Sequence, residues 1–187
     1  MTISVVLADA NILVSRTLRD YFLYAADNGA LEIRWSGQIL AEMSRNLEAK
    51  FGLDRAATTR LADLMNDFME DALVAVTPED RAAVAHVSMD EKDRHVLAAA
   101  LAAEADILLT DNARHFPKDW MAERGVELLG AADLLLRIAD QFPDALRAAH
   151  AATVRLSPKA ESAILATLGS VIGEAAAHVV RGIIAEA

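Results

Sequence analysis

Apolar residues follow two rhythms along this chain. Short unbroken runs rich in Val, Ile and Leu occur at residues 3–8, 107–110 and 126–129. Runs of that length suit strands buried on both faces. Residues 31–34 and 72–76 read as two further short strands. Between them apolar positions recur every three or four residues, the period of a helix with one buried face. Over 12–26, Leu13, Leu18, Phe22 and Ala25 share a face, and Asn28-Gly29 supplies the stop. Ser36 is placed to cap a helix reaching about residue 49, with Ile39, Leu40, Met43 and Leu47 inward. Asp54 opens another, with Leu61, Leu64, Met65 and Phe68 inward. Thr77-Pro78-Glu79 is a helix start with Pro in the first turn, and 90–105 is a helix with an Ala-rich face.

Strands that alternate with helices predict an α/β domain, its mainly parallel sheet covered by helices on both sides. From Ala131 the alternation ends. Residues 134–138 are helical, Phe142-Pro143 breaks them, and Ser157-Pro158 begins one long helix. Ile164, Leu168, Val171, Ala175, Val179 and Ile183 form its apolar stripe. The expected organisation is an α/β domain over 1–130 and a helical C-terminal extension over 131–187.

Composition narrows the chemistry. The 187 residues suit one domain with an appendage, and 54% hydrophobic content excludes a disordered chain. The absence of cysteine excludes disulfides, thiolate zinc sites and cysteine nucleophiles. The start carries no basic leader and no apolar run has transmembrane length, so a cytoplasmic protein without membrane association is expected. A net charge of −10 argues against binding nucleic acid through bulk charge, but not against local phosphate contacts.

Four acids occupy special places. Asp9 ends the first strand and Asp111 ends the fourth, where open α/β sheets place their ligand crevice. Asp93 lies at the start of the 90–105 helix, and Glu42 early in the helix that Ser36 caps. Each has a plainer use: Asp9 as a helix cap, Asp93 in a capping box with Asp90, Glu42 in a pair with Arg45 or Asn46, Asp111 as a turn residue. Their coincidence favours one acidic mouth. Carboxylates crowded together raise one another's pKa, and a divalent cation relieves that. An all-oxygen set favours Mg²⁺ or Mn²⁺ over zinc.

The stretches "VVLADANIL", "ILAEMSRNL", "DEKDRHVLAAALAAEADILLTDN" and "ARHFP" resemble the successive motifs of PIN-domain ribonucleases, and more narrowly those of VapC-type toxins. The resemblance covers about residues 3–130. The tail is similar to a C-terminal extension in one branch of these toxins. The resemblance implies an α/β/α sandwich and a Mg²⁺-dependent endoribonuclease, with Mn²⁺ as a substitute ion. It makes Asp9 and Asp93 the central metal ligands, with Glu42 completing the set directly or through water. The fourth position falls within Thr110-Asp111-Asn112, as Asp111 or, in the other register, Asn112. Asn11 matches a residue that buttresses the first aspartate, and His115 stands where many relatives carry Asp. The implied partners are an RNA substrate (tRNA at family level) and an antitoxin protein; the apolar stripe of the tail packs against its own domain, supports a homodimer or binds the antitoxin.

Other readings remain beside it. The acidic mouth fits a catalytically idle module that acts by docking a partner. A haloacid-dehalogenase-type phosphatase also begins with a strand-end Asp, but normally carries an acid two residues on, where this chain has Asn11. Arg16, Arg94 and Arg114 are candidate RNA contacts, with Arg19, Arg34, Arg45 and Lys118 also flanking the motifs. Trp35 is either a stacking platform for an unpaired base or core. Gly169 and Gly173 permit close helix packing or a kink in the tail.

Overall fold

The computed structural model describes residues 4–186. Its elements run in chain order as β1 (Val5–Ala8), α1 (Ala10–Val14), α2 (Arg16–Asp27), β2 (Glu32–Ser36), α3 (Gly37–Phe51), α4 (Arg55–Phe68), β3 (Leu73–Val74), α5 (Pro78–Val84), α6 (Arg94–Ala102), β4 (Ile107–Leu109), α7 (Lys118–Ala122), β5 (Glu127–Leu129), α8 (Ala131–Gln141), α9 (Pro143–Leu156), α10 (Glu161–Ile172) and α11 (Glu174–Ala185). The strands form one sheet in the order β3-β2-β1-β4-β5 with every pairing parallel, as the unbroken apolar runs predict. One helical group, α1, α3, α4 and α6, packs together, and a second joins α2 to α8, α9, α10 and α11. The result is the expected three-layer α/β/α arrangement with C-terminal helices.

The chain order makes β1 and β4 neighbours although about a hundred residues separate them. Connections leave β1 towards β2 on one side, while β4 leads to β5 on the other, so the switch point of the sheet lies between β1 and β4. Their carboxyl ends open the crevice that such folds use for ligands. Ala8 pairs with Leu109, and Asp9 N–H donates to the Leu109 carbonyl at 3.0 Å, so Asp9 and Thr110 emerge side by side.

Several local expectations change. The 12–26 helix is two helices, because Ser15 leaves the helical conformation and caps α2 by accepting from Leu18 N–H. Arg19 is buried and donates to the Leu13 carbonyl at 2.6 Å, satisfying the freed end of α1, which removes it from the surface cations. The long tail helix is also two, broken at Gly173 with φ 82° and ψ 148°, an extended positive-φ conformation that side chains with a Cβ avoid. The buried face runs through Ile164, Leu168 and Ile172 before the break and Ala176, Ala177 and Val180 after it, so Val171 and Val179 of the expected stripe face solvent. In α4, Leu64 and Phe68 are exposed and only Met65 of the expected inward set is fully buried. Strand β3 is shorter than residues 72–76. Trp35 is fully buried and donates from Nε1 to Asn66 Oδ1 at 2.8 Å, so it is core and offers no face to a base.

The core does not stop at residue 130. Leu134, Leu135 and Ile138 of α8 and Leu146 of α9 join the same buried cluster as β1 and β4. Tyr21 of α2, fully buried, meets His150 Nδ1 of α9 at 2.6 Å, and His150 Nε2 reaches Glu161 at 3.0 Å. The tail helices therefore cover the α2 side of the domain as an integral layer.

Candidate functional site

Asp9 is placed by the strand before it and fixed by the groups around it. It is 6% exposed, and it caps α1: Oδ1 accepts from Ala10 N–H at 2.6 Å. Oδ2 accepts from Asn11 Nδ2 at 2.6 Å and from the Thr110 hydroxyl at 2.7 Å. Thr110, fully buried, also accepts from Asn11 Nδ2 and from Asn112 N–H. Asn11 Oδ1 in turn accepts from Asp111 N–H at 3.2 Å. Asn11 and Thr110 thus tie the ends of β1 and β4 together around one carboxylate. Asp9 caps α1 from its place at the carboxyl end of β1.

Burial holds the Asp9 carboxyl above the usual carboxylate range, and the charges of Glu42 and Asp93 push the same way; the bonds from Thr110 and Ala10 oppose them. No basic side chain is among the groups acting on it. A buried acid with two further acids near and no compensating cation is the electrostatic setting that a divalent ion relieves.

The other two acids each rest on a histidine. Glu42 Oε2 bonds His95 Nε2 at 3.0 Å, rather than pairing with Arg45 or Asn46. Asp93 lies at the junction between a 3₁₀ turn (Glu91–Asp93) and α6. It makes no capping bond, because Asp90 caps that turn through Lys92 N–H. Its Oδ2 instead meets His115 Nδ1 at 2.8 Å. His115 Nε2 accepts from Arg114 Nε at 3.3 Å, which puts the ring proton on Nδ1, facing Asp93. His95 is the residue that sequence reasoning missed. Its signal was the position two residues after Asp93, which the Ala-rich run that follows obscured.

Asp111 departs from the cluster. Its Oδ1 accepts from Ala131 N–H at 2.8 Å, so the carboxylate serves the start of α8, and Asp111 is not among the groups acting on Asp9. Asn112 lies on the cluster side: its N–H donates to Thr110 Oγ1, and its Nδ2 stands 3.1 Å from His115 Nδ1. Of the four expected acids, Glu42 and Asp93 act on Asp9 through their charge and Asp111 does not, while Asn112 and His115 stand beside Asp93.

The basic residues divide sharply. Arg94 donates from Nη1 to the Val84, Ala85 and Val87 carbonyls and from Nε to Glu91, so it closes the end of α5 and is not free for RNA. Arg16 is exposed and only loosely paired with Asp20 at 3.5 Å. Arg114 is exposed at the cleft.

The donor set suits a hard divalent ion. Glu42 and Asp93 each keep one oxygen clear of the histidine bond, and the imidazoles are placed as partners that orient such ligands. Among the described residues no group of three His, Cys, Asp or Glu side chains stands close enough to hold an ion as arranged.

A family model described as "PIN domain" matches residues 5–114, from β1 to just beyond β4. The chain is also similar to a protein of Mycobacterium tuberculosis (strain ATCC 25618 / H37Rv) described as "Putative ribonuclease VapC50". The two are 37% identical over 65 residues, 35% of this chain and 38% of that relative, so the match spans well under half the relative's length. Among the described residues no helix is long and apolar enough to cross a membrane.

Proposed function

The chain belongs to the PIN-domain family, and from that premise we propose that it is a divalent-cation-dependent endoribonuclease, the toxin of a type II toxin–antitoxin pair. The observation that carries this reading is Asp9: a buried carboxylate at the sheet's switch point, locked by Asn11 and Thr110 and faced by two further acids. Asp9, Glu42 and Asp93 would hold the cation, Mg²⁺ or Mn²⁺, with Asn112 nearest the fourth position. When bound, the cation supplies an activated water and offsets the charge that builds on the phosphate. The chain's own residues do the rest. Thr110 and Asn11 fix the orientation of Asp9. His95 and His115 orient Glu42 and Asp93. Arg16 and Arg114 hold phosphates without reading sequence. The reading includes RNA as substrate, an antitoxin as protein partner, a homodimer, a cytoplasmic location, and residues 131–187 as a helical extension. Full-length protein should cut total RNA with Mg²⁺ and not with chelator; equal cutting by wild type and Asp93→Asn would refute the assignment.

One observation favours a second reading, a docking module with an idle mouth: Glu42 and Asp93 already have histidine partners, and among the described residues no three-ligand group is assembled. The two readings separate on metal. A crystal soaked in Mn²⁺ that shows no density at Asp9 would support the docking module.

A further inference from the structure

A cavity of about 310 Å³ opens beside the acidic cleft, between the Ser88–Asp90 turn and the Arg114–Pro117 loop. It borders the cleft through one residue, because His115 lines it and also bonds Asp93. Its volume is at the lower end of the ~300–1,000 Å³ typical of small-molecule sites, room for one nucleotide and not for a duplex.

The walls differ in character. Met89 and Phe116 are apolar, and Phe116 is buried, so it forms a fixed floor rather than a mobile flap. Arg114 stands at one side, exposed; its one bond to a side chain among the described residues runs from Nε to His115, which leaves both terminal nitrogens to donate. Asp90 stands at another side, its carboxylate exposed; Oδ1 accepts from Lys92 N–H at 3.2 Å and Oδ2 meets Lys92 Nζ at 3.3 Å, so each oxygen keeps one further lone pair to accept with. A ligand that satisfies all three is anionic at one end, flat and apolar in its body, and rich in N–H groups at the other edge. A nucleotide has that form. Guanine fits the carboxylate best, because its ring N–H and amino group present two parallel donors to the two oxygens, whereas uracil presents one donor between two acceptors.

We propose that this cavity takes one unpaired guanine of the RNA strand next to the bond to be cut, with Arg114 on its phosphate and Asp90 on its N–H edge. This rests on the ribonuclease reading. Unpaired bases are the ones whose edges protein can read in RNA, so the cavity confers a cleavage preference that the acidic cleft itself lacks.

The test uses the full chain without divalent cation, titrated with guanosine 5′-monophosphate, uridine 5′-monophosphate and inorganic phosphate, and followed by calorimetry. The guanosine nucleotide should bind at least about tenfold more tightly than either other probe, the scale of one charge-assisted hydrogen bond pair. Arg114→Ala and Met89→Trp, which fills the space, should each weaken it about tenfold, and Asp90→Asn should remove the preference for guanine over uracil. Circular dichroism confirms that the variants are folded. Equal binding of all three probes, or no effect of either Arg114→Ala or Asp90→Asn, overturns the proposal. A parallel RNA cleavage assay separates the two readings. RNA cut without any guanine preference sinks the cavity's role and spares the nuclease; guanosine binding as expected with no RNA cut sinks the nuclease and spares the nucleotide site.

Discussion

Asp93 Oδ2 lies 2.8 Å from Nδ1 of His115, a residue from a different loop, and His95 holds Glu42 in the same way at 3.0 Å. Each outer acid of the cleft thus has one oxygen anchored by an imidazole and one left over. Partners of this kind set the orientation of a ligand, and removing them typically costs about 10–100-fold in metal affinity or activity. His115→Ala and His95→Ala should therefore weaken Mn²⁺ binding by about that range without unfolding the chain. Unchanged Mn²⁺ affinity in both would show that the histidines are bystanders.

The raised pKa of Asp9 has a consequence for stability. Its carboxyl binds a proton more readily folded than unfolded. Between the ordinary carboxylate value and its raised folded value, the native state therefore holds more protons, and stability falls as pH rises through that window. At neutral pH the ionised carboxylate costs the metal-free fold some stability. Without metal, the melting point of Asp9→Asn relative to wild type should fall as pH drops from 7 towards 4, because the wild type regains stability as Asp9 protonates. Added Mn²⁺ should raise the wild-type melting point and leave Asp9→Asn unmoved; at 100-fold excess over Kd the gain is about 2.7 kcal/mol. A difference between the two proteins that does not change with pH would contradict this electrostatic picture.

Thr110 makes three hydrogen bonds with one hydroxyl, to Asp9, Asn11 and Asn112. Thr110→Val keeps the shape and removes the bonds, leaving buried polar groups short of a partner, which costs about 1–3 kcal/mol. Cleavage should fall with it, through lost positioning of Asp9, while Thr110→Ser restores most of both. Denaturant melts and RNA cleavage rates for the pair check this; a rate for Thr110→Val equal to wild type would remove Thr110 from the site.

Trp35 separates core from substrate. Trp35→Phe loses the bond to Asn66 and should cost about 1 kcal/mol, with kcat/KM on RNA unchanged. A raised KM at unchanged melting temperature would mean that the indole meets RNA after all.

The tail makes a similar division. Because Tyr21, His150 and the apolar face of α8 belong to one buried cluster, a chain ending at Leu129 exposes core. It should aggregate or lose near-ultraviolet dichroism. A well-folded monomer from that truncation would show that the helices are an appendage.

The sheet was legible because strands buried on both faces leave an unbroken apolar run, and because Asp9 interrupts one such run at its end. The breaks at Ser15 and Gly173 were not, since the apolar period continues through each and only the local backbone changes. Ser15 followed by Leu18 reads equally as helix interior, and Gly173 reads equally as a packing residue or a kink until its φ is known. Asp9, Glu42 and Asp93 were legible as candidates from their places at strand and helix ends, and in the structure the two outer acids act on Asp9 through their charge. Asp111 was misplaced for a physical reason: a carboxylate at that strand end can turn to the crevice or to the N-terminus of the next helix, and the position of Ala131 N–H decides. Arg94 and Arg19 read as surface cations because sequence does not reveal which carbonyls lack partners.

The decisive measurement is cleavage of an end-labelled single-stranded RNA by full-length protein, wild type beside Asp9→Asn, each with Mn²⁺ and with chelator. Wild type should cut only with Mn²⁺, and Asp9→Asn, folded by circular dichroism, should not cut above background in either condition. Metal-independent cutting, or equal cutting by the two proteins, would contradict a cation site anchored at Asp9.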